Sequence, residues 1–413
     1  MAITITKQPS IYSPVSNSLF QVSSNQAGIT YFLVTVLTGF DTVLATLKFN
    51  VLPSYPNGTY FDLSTILQNY LESEVINTSN IFEPTTKNIV AYRLNIKEYY
   101  VNASGVVVVG ANYNTIQYYA FKASLSRMEM TGYNQSKYVL TNANTQFLTN
   151  SPKVLNVYQD STEYLYFLND KTANLNVKFY TKGHVLLGNH TITGTTVDMN
   201  AGRLNVSPSV LASYLGESLS NLYGNEFTDV FSAVFGSYAD INDTNYYTVQ
   251  MVNVSNQPLS ELRTYVLKDA LNCNVKSFEL VFSNQYSGMD TIRLFNPRTS
   301  LQVSRTTINN NQFKQDEAGI YSDSVNGVYN STSSIINSNT TYSIKAITDV
   351  LSDSQALWLK DIIQSEIVYL RLSNGFLLPV TIKNESYTIQ SKRYSRNNNR
   401  LELTVETTED IKF

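Results

Sequence analysis

One cysteine, two histidines, one tryptophan and few charges stand in this chain of 413 residues, and each shortage removes a class of function. A lone Cys273 excludes an intrachain disulfide framework, and a thiolate metal cluster would need several more ligands. Charged residues make up 15% of the chain, against ~25% in an ordinary soluble domain, so the polar surface must come from Asn, Ser, Thr and Tyr. A net charge of −3 and a pI of about 5.6 give no global positive field for phosphates, which disfavours a nucleic-acid partner. Long apolar runs are missing too. The aliphatic VVVV at 106–109 falls far short of the roughly 20 residues of a membrane helix, and MAITITKQPS at the N-terminus has no apolar h-region. The expectation is a soluble chain with no membrane partner and no secretory signal.

Motifs that carry chemistry are equally scarce. His184 and His190 lie six residues apart on an expected hairpin, with no helical i,i+4 pair or flanking carboxylate to complete a zinc site. They read as ordinary polar residues. No G-x-S-x-G elbow supports a serine hydrolase, and no phosphate-cradling glycine loop supports a nucleotide enzyme. DINDTN at 240–245 resembles the start of a calcium loop. It has Asn245 where the sixth-position glycine belongs and Met251 where the twelfth-position glutamate belongs, so a solvated turn is the better reading. A carboxylate pair for glycoside hydrolysis stays open, because its members need meet only in the fold. On this inventory we expect no catalytic residue, no metal, no cofactor and no enzymatic activity.

What is abundant is alternation. Hydrophobic residues make up 43% of the chain, with 30 Tyr and 19 Phe. β-branched and aromatic residues recur at every second position between Asn/Gly/Ser clusters, so the chain is expected to be mainly β, a series of antiparallel, Ig-like β-sandwich modules with a few short helices. Segments 30–39, 43–52, 89–101 and 115–124 suit a first sandwich, residues 1–130, capped by one short helix in FDLSTILQNYLES, where Leu63, Ile66, Leu67, Tyr70 and Leu71 fall at helical spacing. A second sandwich-type module is expected over 131–260. Within it PSVLASYLGESLSNLY reads as a short helix and DVFSAVF as a strand.

The third module, 261–413, opens with VKSFELVFSN and TIRLFN and then reaches NSTSSIINSNTT, a polar stretch expected to be a loop or irregular arm. In SDSQALWLKDIIQS, Ser352 and Gln355 have capping-box spacing, and Trp358 with Ile362 and Leu359 with Ile363 form i,i+4 apolar pairs, which predicts one well-specified helix. The strands IVYLRL, FLLPVTI, YTIQSKRY and LELTVET follow, with Pro379 marking an edge or a bulge. The expected result is a helix on a small antiparallel sheet. The basic cluster SKRYSRNNNR at 391–400 reads as a solvated hairpin tip in preference to a nucleic-acid contact.

FSNQYSGMDTIRLFNP at 282–297 holds Tyr286, Ser287 and Asp290, but nothing in the stretch supplies a base for a hydroxyl nucleophile. It reads as a shaped hairpin with Gly288 as the left-handed position and Asn284 and Asp290 bonding the turn backbone.

Three stretches carry a resemblance. ITKQPSIYSPVSNSLFQVSSN followed by KFNVLPSYPNGTYFDLSTILQNYL, with Gln8, Pro9, Asn17, Pro56, Gly58 and Asp62, resembles the start of a tail-associated virion protein family of phages of Bacteroidota, including crAss-like phages. Ser18 stands where that family's pattern has proline. NCNVKSFELVFSNQYSGMDTIRLF is similar to the family's cysteine, strand and aspartate-bearing turn through Cys273, Asn284, Gly288, Asp290 and Phe295, while Gln285 and Ser287 depart from it. The C-terminus resembles the family's Trp-Leu helix and its last strands through Trp358, Leu359, Val368, Tyr369, Leu370, Pro379, Val380, Tyr387 and Lys392. The similarity in the middle of the chain is loose. The resemblance implies a structural virion protein of the tail, neck or baseplate, assembled in the host bacterial cytoplasm and joined to itself in a cyclic homo-oligomer and to other tail proteins. The low charge and the Tyr-rich β surface agree with that role. A host glycan- or receptor-binding adhesin of the tail is the alternative.

Overall fold

Strand alternation becomes sheets that share cores. A computed structural model describes residues 3–75, 78–195, 199–223, 246–268, 275–310, 314–315, 318–325, 328–384, 400–409 and 411. Cys273, the DINDTN segment, DVFSAVF, YTIQSKRY and 391–399 of the basic cluster lie outside these residues. The chain is mainly β, with a few short helices.

In the first part, the strands Ile3–Lys7, Leu19–Ser24 and Gly58–Asp62 form a three-stranded sheet. A second sheet places Ile29–Thr38 between Ile89–Val101 and Val43–Asn50, with Val107–Asn114 pairing the far half of Ile89–Val101. Phe20, Val22 and Phe61 of the first sheet and Phe32, Val34, Leu94 and Ile96 of the second bury into one core. The expected helix is Ser64–Gln68. Leu63, Leu67 and Leu71 are buried as its spacing predicts, but Tyr70 is exposed, since five residues make too short a stripe to hold it.

The second part builds a five-stranded sheet from Val154–Val157, Arg263–Leu267, Tyr246–Val252, Ala173–Tyr180 and Leu186–Thr195. A smaller sheet faces it. Its strands are Tyr164–Leu168, Ala201–Asn205 and Phe82–Pro84, so a strand from the first hundred residues completes a sheet of the second part. The segment read as a short helix is the helix Pro208–Tyr223.

Near the C-terminus, the expected small antiparallel sheet is a closed barrel. Ser277–Ser283, Met289–Asn309, Ser333–Thr348, Glu402–Thr407, Leu377–Ile382 and Val368–Arg371 pair in that order and return to the start. Closure removes the free edges that a small sheet would expose. Pro379 faces Tyr369 on one side, and pairing on its other side begins only at Thr381, so the missing N–H breaks no ladder bond. The expected single helix is two short ones, Asp353–Trp358 and Lys360–Gln364, which meet at Leu359. Trp358, Leu359 and Ile362 still bury together against barrel residues Leu280, Leu294 and Leu403. Ser352 and Gln355 form the capping box, each side chain bonded to the other's backbone N–H.

The stretch NSTSSIINSNTT, expected to be a loop or irregular arm, is regular strand from Ser333 onward, paired with Met289–Asn309 from Leu294↔Thr348 out to Asn309↔Ser333. Its Asn, Ser and Thr residues imitate a loop composition because the strand leaves the barrel and runs with both faces in solvent. Among the described residues, no helix is long and apolar enough to cross a membrane.

Candidate functional site

The residues singled out in the sequence meet at a tight turn between the first two barrel strands. Asn284 organises it. Its Oδ1 accepts the backbone N–H groups of Tyr286 at 2.9 Å and Gly288 at 3.0 Å, and its Nδ2 donates to the Leu148 carbonyl at 2.9 Å and to Asp290 Oδ1 at 3.0 Å. Oδ2 of Asp290 accepts from Trp358 Nε1 at 2.6 Å and from Thr149 Oγ1 at 2.8 Å. Ser124 N–H donates to the Gln285 carbonyl at 2.8 Å, and the Tyr286 and Tyr138 hydroxyls lie 3.0 Å apart. The hairpin is thus gripped by the first part, by the 138–149 segment and by the helix pair.

Gly288 is not the left-handed residue. That position is Ser287, at φ 70°. Glycine is required at 288 for room, because a Cβ there would stand 2.7 Å from the Leu148 carbonyl oxygen.

Burial raises the Asp290 carboxyl above the usual carboxylate range, while the bonds from Trp358, Thr149 and Asn284 hold it down. Beside it, Asp361 is 2% exposed. Burial, and then the charge of Asp290, push it up to about 6; the Gln285 backbone N–H and the Asn150 amide act the other way. Among the described residues, Asp361 Oδ1 and Ser287 Oγ find no hydrogen-bond partner, and both residues line a cavity of about 30 Å³, the room of a water molecule.

A second polar cluster lies on the other side of Trp358. Glu279 bonds Arg293 at 2.9 Å, Arg371 at 3.1 Å and the Thr162 N–H at 3.2 Å, and Arg293 also reaches Asp160 at 2.8 Å. Glu163 lines the adjoining cavity of about 70 Å³ together with Glu279, Thr291 and Arg293. Desolvation pushes the Glu163 carboxyl well above the usual range, with Glu279 and Asp290 adding to it. Glu163 beside Glu279 is a pairing of the kind the sequence left open. Every oxygen of Asp290 and Glu279 accepts from an internal donor, so these two carboxylates tie strands and helices together. Sequence reading missed Glu163, Glu279, Arg293 and Asp361. They are isolated charges in alternating or helical runs, and their partners lie far along the chain.

The histidines stay apart from this junction. His184, at φ 61°, bonds the Tyr246 hydroxyl at 2.8 Å, and half-buried His190 has its pKa lowered by burial. Among the described residues, no group of three or more His, Cys, Asp or Glu is placed to hold a metal ion.

A long arm stands apart from these sites. Beyond Asn296, at φ 54°, and a register shift between Phe295 and Arg298, the two long strands leave the barrel as a ribbon. Every side chain is exposed from Arg298 to Asn309 and from Ser331 to Thr340. The register sorts its faces. Leu301 opposite Tyr342, Val303 opposite Thr340 and Thr307 opposite Ile335 share one face, while Gln302, Ser304 and Thr306 oppose Thr341, Asn339 and Asn337 on the other.

No family model matches the chain, and no curated protein does. Among solved structures, the native conformation of Escherichia coli alpha-2-macroglobulin aligns over 93% of this chain and 24% of that chain, at 8% identity and a TM-score of 0.18. The trypsin-activated form of the E. coli protein aligns over 93% and 25%, at 7% identity and the same TM-score of 0.18. The chain spans about a quarter of those proteins, and superposition at that level carries no argument about fold or function.

Proposed function

We propose that the chain is a structural component of a tailed-phage virion, part of a tail, neck or baseplate-like ring, built through contacts with copies of itself and with neighbouring tail proteins. The observation that carries this reading is the arm. An isolated two-stranded ribbon is marginal in water, and this one leaves Leu301 58% and Ile335 58% exposed. Such a ribbon gains most when a neighbouring subunit covers it. The turn-and-tryptophan junction supports the same reading. Asn284, Asp290 and Trp358, which carry two of the three stretches resembling the tail proteins, meet in one hydrogen-bonded knot that stiffens the base from which the arm projects. In this reading the paired sheets of the first two parts are Ig-like sandwich modules, and the chain is made in the bacterial cytoplasm and carried in the particle.

The test is immunogold labelling of purified tailed particles with an antibody against the chain, alongside binding of the chain alone to host cells and glycan arrays. Labelling at a fixed tail position, with no glycan binding, is expected. Particles without the chain would overturn the proposal. Glycan binding that disappears when exposed Tyr321 and Tyr329 are replaced by Ala would instead favour the adhesin.

A further inference from the structure

The 16-residue helix Pro208–Tyr223 follows a serine of the type that caps helices, yet that serine does not cap it. Ser207 turns its hydroxyl elsewhere: Oγ donates to Asn205 Oδ1 at 2.5 Å and accepts the Glu163 N–H at 2.9 Å. Pro208 has no N–H, and Leu211 is the first to bond back, to the Ser207 carbonyl at 3.0 Å. The N–H groups of Ser209 and Val210 therefore stay open among the described residues, at the end of the helix where the peptide dipoles concentrate partial positive charge.

Ser209 and Val210 line an open cavity of about 410 Å³, a volume within the roughly 300–1,000 Å³ of small-molecule sites. Thr78 and Ser79 of the first part and Asn374 and Phe376 of a barrel turn share its wall. One charged residue, Arg371, stands on that wall, with no carboxylate beside it in the lining. Arg371 Nη1 donates to the Asp160 carbonyl and to Glu279 Oε2, each at 3.1 Å, which fixes the guanidinium and leaves Nη2 and Nε without a partner among the described residues. Thr162 points the same way. It is 5% exposed, its N–H is held by Glu279 and its carbonyl accepts from Thr291, but its hydroxyl, in the same cavity lining, has no partner among the described residues. A hydroxyl buried that deeply is ordinarily bonded.

Open donors call for a ligand rich in acceptors. A cation would be repelled by Arg371, and an uncharged sugar or amide would leave the guanidinium and the helix end without a counter-charge. An oxyanion suits them together, because its oxygens accept from several N–H and O–H groups at once and its charge answers both the guanidinium and the dipole. A second cavity of about 480 Å³ shares Ser79, Ser209 and Val210 with the first, has no charged residue in its lining and includes Phe82 and Tyr214, which gives room for an uncharged body attached to the anion.

We propose that the start of the helix Pro208–Tyr223, Arg371 and Thr162 form a seat for the phosphate, sulfate or carboxylate group of a small organic ligand. This binding function is separate from assembly and does not depend on it. The test titrates the full-length chain by calorimetry with inorganic phosphate, sulfate and acetate, at an ionic strength held constant with sodium chloride. At least one of the three should bind saturably with a Kd of about 1 mM or tighter. Ser209→Asp puts a carboxylate beside the seat at a helix position that favours one, so it should keep the circular dichroism and melting of the parent and weaken binding about ten-fold or more. Thr162→Val removes only the hydroxyl and should weaken binding several-fold. Failure of all three anions to bind the unsubstituted chain saturably overturns the seat, and so does unchanged affinity in whichever of the two variants folds.

Discussion

At the scale of single residues, the polar junction is where stability and pH meet. Asp361 holds a proton in the native state up to about pH 6, which an unfolded aspartate releases near 3.8. Between those values the native state binds more protons than the unfolded chain, so this group makes the protein lose stability as pH rises from about 4 to about 6, after which the loss is complete. Asp361→Asn removes the titration while keeping the shape. It should flatten the pH dependence across that window and raise stability at pH 8 by on the order of 2 kcal/mol, read by urea unfolding at pH 5 and pH 8. A variant no more stable than the parent at pH 8 would contradict the assignment. Trp358→Phe probes the neighbouring carboxylate. Loss of the indole N–H leaves Asp290 with Thr149 and Asn284 alone, and a cost of about 1.5–3 kcal/mol in denaturant midpoint is expected for a bond to a charged acceptor. The sequence offered Asn284, Asp290 and Trp358 as a turn and a helix core. It held no sign that the indole and the carboxylate, 68 positions apart, would be partners. Tyrosine was similarly ambiguous: Tyr12, Tyr118 and Tyr247 are core residues whose hydroxyls bond Asn169 O, Gln8 and Val206 O, whereas Tyr321 and Tyr329 are on the surface.

At the scale of elements, two adjacent turn residues make opposite predictions. Gly288→Ala drives a Cβ against the Leu148 backbone carbonyl, which cannot swing aside, and should cost about 2 kcal/mol or more. Ser287→Gly relieves a left-handed serine at φ 70° and should gain about 1 kcal/mol. Thermal melts of the two variants would decide between this account and a turn in which 288 is the left-handed position, where the second gain would vanish. Strands with clean alternation, such as Ile29–Thr38 and Ile89–Val101, were legible because each buries every second side chain. The capping box was legible because its two residues are local. Barrel closure was not, since it depends on the pairing of Ser277–Ser283 with Val368–Arg371, nearly a hundred residues on. Nor was the outer half of the arm, where a strand solvated on both faces has no burial to print a period on its sequence.

At the scale of the whole molecule, sheets joined by polar knots carry a long exposed ribbon. Low charge and a surface of Asn, Ser, Thr and Tyr suit contacts between like subunits, because little charge must be desolvated when they meet. The central claim is that these features exist for assembly. Sedimentation velocity of the purified full-length chain over a wide concentration range tests it most directly. The account predicts a discrete species at an integral multiple of 46.4 kDa that grows with concentration; a single 46.4 kDa species at every concentration would contradict it.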